Sequence, residues 1–174
     1  MSFSLQRRAH MTILLFGLLG SGKSTIGKLL ALDLQGTCVE MDYLISQTLG
    51  GVKPQDVSEA HWKECQVEIS KDLSVQRNLI IAASGNIVEN DLNILYFREH
   101  AEDVCIVYLD ATTETLLART TGNDTEKARE LRTHLEELRQ KREGLYRTFA
   151  DTVIATDGKT PRQIADAILA HIRR

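Results

Sequence analysis

The chain of 174 residues lacks several features, and each absence narrows what it can do. No apolar run approaches the ~20 residues that span a bilayer, so no membrane partner is expected. Charge of one sign is not in excess. Lys and Arg number 21 against 24 Asp and Glu, a formal net charge of −3. The basic residues are scattered, apart from Arg139, Lys141 and Arg142 and the terminal Arg173–Arg174. This pattern gives no reason to expect a nucleic-acid partner. Cysteine is scarce: Cys38, Cys65 and Cys105 are odd in number and share no metal-ligand spacing. Cys38 and Cys105 fall in predicted strands, where cysteine acts as a small buried hydrophobe. His10, His61, His100, His134 and His171 do not cluster, so no histidine metal site is expected. There is no repeat, linker or low-complexity segment. The length suits one domain with a real core. The expectation is a monomeric cytoplasmic enzyme, with residues 1–10 a loose extension and 11–174 the domain.

What is present is concentrated in nine residues, Gly17-Leu-Leu-Gly-Ser-Gly-Lys-Ser-Thr25. They match G-x-x-x-x-G-K-[ST], the phosphate-binding P-loop. Gly17, Gly20 and Gly22 permit backbone conformations that a Cβ forbids. The loop then forms a nest of N–H groups around a phosphate, to which Ser21 and Thr25 belong. Lys23 reaches the β- and γ-phosphates of ATP, and the Ser24 hydroxyl suits Mg²⁺. A helix opening at Gly22–Lys23 turns its positive end to the anion. The flanks agree. Met11-Thr-Ile-Leu-Leu-Phe16 suits a buried parallel strand, and Ile26, Leu29, Leu30 and Leu34 form one helical face. A glycine-rich turn that binds nothing has no use for Lys followed by Ser and Thr. Arg7 and Arg8 before the apolar stretch Met11–Leu19 have the outline of a signal peptide. No small-residue cleavage site follows, and cleavage there would destroy the strand that carries the loop.

Strand and helix signals then alternate. Strands are predicted near Thr37–Met41, Asn78–Ala83, Val104–Leu109 and Thr152–Ala155. Helices are predicted over Ser58–Gln76, with Trp62, Cys65, Ile69 and Leu73 on one face, and over Thr113–Thr120. A long helix is expected over Thr125–Phe149, with Leu131, Leu135, Leu138, Leu145 and Phe149 at helical spacing. A last one runs over Pro161–Ile172, with Pro161 suited to a helix start. Alternation implies a parallel, doubly wound α/β sheet of five strands with helices on both faces. Ligands bind such sheets outside the carboxyl ends of the strands.

That rule directs attention to Glu40-Met41-Asp42 at the end of the second strand. Residues i and i+2 of a strand face one way, so both carboxylates can enter the cleft. One can hold Mg²⁺ or its waters and the other can take a proton from a hydroxyl. A plain helix cap from Asp42, before a helix starting at Tyr43, is the competing reading. Ser84-Gly85-Asn86 forms a small polar turn on the same rim.

With these residues in hand, the chain after residue 10 resembles the shikimate kinase family of small-molecule kinases. The resemblance implies a P-loop, nucleoside-monophosphate-kinase-like fold and phosphoryl transfer from ATP·Mg²⁺ to a small anionic hydroxyl acceptor. Glu40 falls on the aspartate near Mg²⁺, and Asp42 on the aspartate that meets the substrate hydroxyl. Glu59-Ala-His-Trp-Lys63-Glu64 falls on an E-x-x-F-R-x-x-E-like stretch whose Arg binds the substrate carboxylate. Ala83-Ser-Gly85-Asn86 falls on a glycine-rich turn beside the substrate. Leu117-Ala-Arg119-Thr120 is similar to a segment whose Arg packs on adenine, and Asp157–Pro161 to the adenine loop. Arg142-Glu-Gly-Leu-Tyr146, followed by Ala150-Asp151, resembles R-x-P-L-Y…A-D, whose Arg also grips the carboxylate.

The departures are equally specific. Glu40 replaces Asp, Lys63 replaces Arg, and Ser84 and Asn86 interrupt the glycines. The lid, which carries Arg-Pro in the family, reads Thr121-Gly-Asn-Asp-Thr-Glu126, with Lys127 or Arg129 as substitutes. Segments 42–76 and 120–130 are expected to close over the substrates. Three readings follow: a shikimate kinase, a related kinase of another small hydroxylated metabolite, and an ATP-binding protein with little kinase activity.

Overall fold

The computed structural model describes residues 11–101 and 103–173. The expected N-terminal extension, residues 1–10, lies outside the described residues. Five strands form one sheet in the order β2-β3-β1-β4-β5, and every pairing is parallel. The strands are β1 (Thr12–Phe16), β2 (Thr37–Glu40), β3 (Leu79–Ala82), β4 (Val104–Asp110) and β5 (Thr152–Ala155). The described helices are α1 (Lys23–Leu34), α2 (Met41–Thr48), α3 (Glu59–Ser74), α4 (Asp91–His100), α5 (Thr113–Thr121), α6 (Thr125–Phe149) and α7 (Pro161–Ile172). Short 3-10 turns occupy Pro54–Asp56 and Ile87–Glu89.

The sheet divides the core in two, because alternate side chains of a strand point to opposite faces. Ile13 and Leu15 of β1, with Cys105, Val107 and Leu109 of β4, pack on Ile26 and Leu30 of α1 and Ile164 and Ile168 of α7. Leu14 and Phe16, with Ile106 and Tyr108, pack on Met41, Trp62, Ile69, Phe97, Leu135 and Tyr146 from the other helices. All of β1 is buried, which is why its sequence is a continuous apolar run. Edge strand β5 instead alternates half-buried and exposed residues.

Helices α6 and α7 and strand β5 fall on their predicted spans. Other boundaries differ for local reasons. Strand β2 ends at Glu40, and α2 begins at Met41 rather than Tyr43. Met41 and Ile45 are both fully buried, and that i, i+4 spacing belongs to a helix. The strand-parity argument for Glu40 and Asp42 therefore fails. Asp42 lies in the first turn of α2, where its charge complements the helix dipole. Strand β3 starts one residue late because Asn78 has φ +58°, a left-handed conformation outside any strand. Ser58 is not the first residue of α3 but its cap, accepting from the His61 N–H at 3.3 Å. Helix α4 has no counterpart in the sequence reading. Its buried face is Ile94 and Phe97 interrupted by a buried Asn93, so the apolar stripe is too thin to read. Among the described residues no helix is long and apolar enough to cross a membrane.

Candidate active site

The P-loop leaves β1 and enters α1. Gly20 has φ +82°, and a Cβ there would meet Thr120 Oγ1 and, at 3.0 Å, the Leu116 carbonyl oxygen. Glycine thus lets the loop lie directly against the end of α5. Gly22, at φ 98°, is the N-cap of α1; no side chain caps this terminus and no acid occupies its first turn. The free N–H groups there suit an anion. Lys23 donates from Nζ to the carbonyls of Gly17 at 2.9 Å and Leu18 at 3.1 Å. Burial pulls its ammonium from the ordinary 10.5 down to about 8, while Asp42 and Glu40 pull it up and Arg142 adds to the lowering. The Ser21 hydroxyl is buried with no partner among the described residues.

Two cavities open on this loop. One, of about 280 Å³, is lined by Gly20, Gly22, Lys23, Ser24 and Thr25 together with Glu40, Asp42 and Ala83. Ser24 Oγ donates to Glu40 Oε2 at 2.6 Å. Ser84, whose residue is 2 % exposed, donates from its hydroxyl to Asp42 Oδ1. The two acids thus have different partners: Glu40 faces the P-loop hydroxyl and Asp42 the β3 rim.

The second cavity, of about 360 Å³, is lined by Gly20, Ser21, Gly22, Thr25, Arg119 and Pro161, with Ile26, Lys159 and Ile164. The structure thus brings Arg119 and Pro161 beside the P-loop. Arg119 donates to Thr156 Oγ1 at 3.1 Å and to the Thr156 carbonyl at 2.9 Å. This ties α5 to the β5–α7 loop. Asp157 secures the same loop: its Oδ1 accepts from Thr112 Oγ1 at 2.7 Å and from the Thr115 hydroxyl. The hydroxyls of Thr115 and Thr112 hold its carboxyl down to about 2. Pro161 opens α7 behind a capping box between Thr160 and Gln163.

At the turn after β3, Gly85 lies beside Arg142: a Cβ on Gly85 would stand 3.3 Å from Arg142 Nη1. Tyr146 donates to the Gly85 carbonyl at 2.5 Å. Asn86 Oδ1 accepts from Gln66 Nε2 at 2.9 Å. Gln66 in turn accepts from Asn93, which accepts from Ser70. Asn86 therefore joins a buried polar network that supports the turn. Lys63 and Arg142 do come together, but through a residue the sequence reading missed, Glu89. Counting E-x-x-F-R-x-x-E on from Glu59 puts its second acid at Gln66, and the buried carboxylate beside Lys63 belongs to Glu89, on another element. The lid stretch 120–130 is a tight junction: Gly122–Asp124 joins α5 to α6, and Asp124 caps α6 by accepting from the Lys127 N–H at 3.0 Å. Lys127 and Arg129 lie exposed in the first turns of α6.

A P-loop whose lysine and serine share a cavity with two carboxylates, at the carboxyl edge of a β2-β3-β1-β4-β5 parallel sheet, defines a P-loop small-molecule kinase. Comparison with known proteins makes this particular. The family model for shikimate kinase matches residues 19–173. A shikimate kinase of Persephonella marina is 32% identical over 166 residues, covering 92% of this chain and 98% of that protein. The solved shikimate kinase from Acinetobacter baumannii in complex with shikimate superposes with a TM-score of 0.83 at 26% identity, covering 97% of this chain and 96% of that one. The shikimate kinase from Aquifex aeolicus gives 0.72 at 27% identity, over 93% and 96%. The chain belongs to the shikimate kinase family, ATP-dependent kinases of a small molecule.

Proposed function

We propose that the protein transfers the γ-phosphoryl group of ATP to a hydroxyl of shikimate, giving shikimate 3-phosphate. The observation that carries this reading is the placement of Asp42. It lines the same cavity as Lys23 and Ser24 while Ser84 holds one of its oxygens. The other oxygen is left to orient an acceptor hydroxyl and take its proton. The P-loop N–H groups and Lys23 bind the phosphates, with Lys23 leaving the Gly17 and Leu18 carbonyls to do so. Arg119 and Pro161 line the nucleotide's far end. Arg142, beside Gly85, takes the acceptor carboxylate, while Lys63 is held between Glu59 and Glu89.

The Ser24 hydroxyl and Glu40 carboxylate are hard oxygen donors 2.6 Å apart. No group of three or more acids, His or Cys able to hold a metal occurs among the described residues. A sparse oxygen set of this kind suits Mg²⁺, which keeps most of its waters. Ser24 and Glu40 would hold it, and when bound it neutralises charge on the β- and γ-phosphates. The reading includes a monomer in the cytoplasm. The test is ATP consumption over hydroxy acids, polyols and nucleosides, with the product identified by phosphorus NMR. Turnover with shikimate and a 3-phosphate product is expected. Turnover only with an uncharged acceptor would overturn the assignment.

A further inference from the structure

Glu89 belongs to none of the motifs that point to the site. It ends the 3-10 turn that follows Gly85, and its side chain is 6 % exposed. Three cations converge on it. Arg142 Nε donates to Oε1 at 2.7 Å, while Lys141 at 2.8 Å and Lys63 at 3.2 Å donate to Oε2. Burial works to raise the Glu89 carboxyl, but the bonds from Lys141, Arg142 and Lys63 outweigh it and hold it down to about 2. It is therefore an anion at any working pH.

The atoms used reveal a division of labour. A guanidinium presents five N–H donors on distinct edges. Glu89 takes the Nε position. The terminal amino groups lie elsewhere, with Nη1 against Gly85, the turn the site offers to its acceptor. Lys63 is differently placed: Glu59 meets it at 2.5 Å and Glu89 at 3.2 Å, so its charge is already matched. Of the cations gathered here, Arg142 reaches the Gly85 turn, where its guanidinium also meets the Tyr146 hydroxyl. An arginine side chain is long and loses rotamer freedom when fixed. Holding it in advance by Nε lowers the cost of presenting its fork to a carboxylate.

We propose that Glu89 is a positioning residue for acceptor recognition: it fixes Arg142 through Nε so that the terminal amino groups face the acceptor carboxylate, while it occupies Lys63. This rests on the acceptor proposed above, a hydroxylated carboxylate. An opposite role is conceivable on the same contacts, in which Glu89 competes with the acceptor for Arg142. The two roles differ in sign.

Glu89→Ala and Glu89→Gln, assayed with shikimate and ATP varied separately, decide between them. Positioning predicts that Glu89→Ala raises shikimate KM roughly 10-fold or more, with kcat and ATP KM within about threefold. Glu89→Gln, which keeps an oxygen to accept from Nε, should restore much of the loss. The Arg142 Nε–H proton resonance, assigned with Arg142→Lys, should be protected from exchange in the parent and Gln forms and exposed in the Ala form. Shikimate KM unchanged or lowered in both variants overturns the positioning role while the shikimate assignment stands. A parent protein that neither binds nor phosphorylates shikimate overturns that assignment instead. In that case a protected Arg142 resonance still supports positioning for another acceptor, and an exposed one rejects it.

Discussion

Lys23 donates to two carbonyls of its own loop, and its burial makes nucleotide binding sensitive to pH. Burial brings its ammonium down to about 8 in the free protein. Below that value the lysine is charged and pairs with phosphate. Above it the free protein loses the proton, and binding must recover it. ATP affinity should be level between about pH 7 and 7.5, then fall by up to about tenfold per unit above 8. Calorimetric titrations in buffers of different ionisation enthalpy should show proton uptake in the falling range. Lys23→Arg should flatten the profile, because Arg keeps its charge there. Asp42→Asn preserves shape and removes the base, so kcat should drop roughly 10²–10⁴-fold with ATP affinity little changed. A collapse of ATP affinity in that variant would mean that Asp42 serves the metal and Glu40 the hydroxyl. The P-loop was legible because its residues are consecutive in the chain. Glu89 was not, since its partners Lys63 and Arg142 lie 26 and 53 residues away. No periodicity announces an ion cluster assembled by tertiary structure.

Helix α6 matches its predicted span from Thr125 to Phe149, yet the burial of Tyr146 was not read from its leucine pattern. Tyr146 is fully buried and stacks on Phe16 at 5.2 Å and Tyr108 at 4.9 Å. A leucine pattern identifies the helix, but a tyrosine on its stripe is neutral until the neighbours are known. Its hydroxyl fixes the Gly85 turn, so α6 couples core packing to acceptor geometry. Tyr146→Ala should cost about 3–5 kcal/mol of stability. Tyr146→Phe should cost only about 1 kcal/mol, yet raise acceptor KM with ATP KM unchanged. Chemical denaturation and steady-state kinetics on both variants would separate the two contributions. Helix α4 shows the converse. Asn93 contributes hydrogen bonds to Gln66 and the Ile87 carbonyl where an apolar residue would have signalled the stripe.

For the whole molecule, acid stability should report the ion cluster around Glu89. Its carboxyl is held below the ordinary 4.5, at about 2. A depressed carboxylate contributes stability above its unfolded pKa and loses it as pH falls through the folded one. The parent protein should therefore exceed Glu89→Gln by about 3 kcal/mol near neutrality. That difference should shrink steadily between about pH 4.5 and 2, as followed by urea unfolding. A constant difference across this range would place the effect in packing. The five-strand parallel sheet was legible because alternating strands and helices leave few topologies. The partition of helices between its faces was not, since both faces use the same apolar residues.

That partition has a consequence for how the protein can change. The face packed by α1 and α7 carries the P-loop helix and Pro161. Of the departures from the shikimate kinase pattern, Lys63, Ser84 and Asn86 fall on α3 and the turn after β3, whereas Glu40 touches the P-loop helix through Ser24. A substitution at those three residues alters contacts with Glu89, Asp42 and Gln66, none of which lies on α1 or α7. Choice of acceptor can thus drift one residue at a time, with each intermediate still able to hold ATP. The sheet acts as a firewall between what is inherited and what is open to revision.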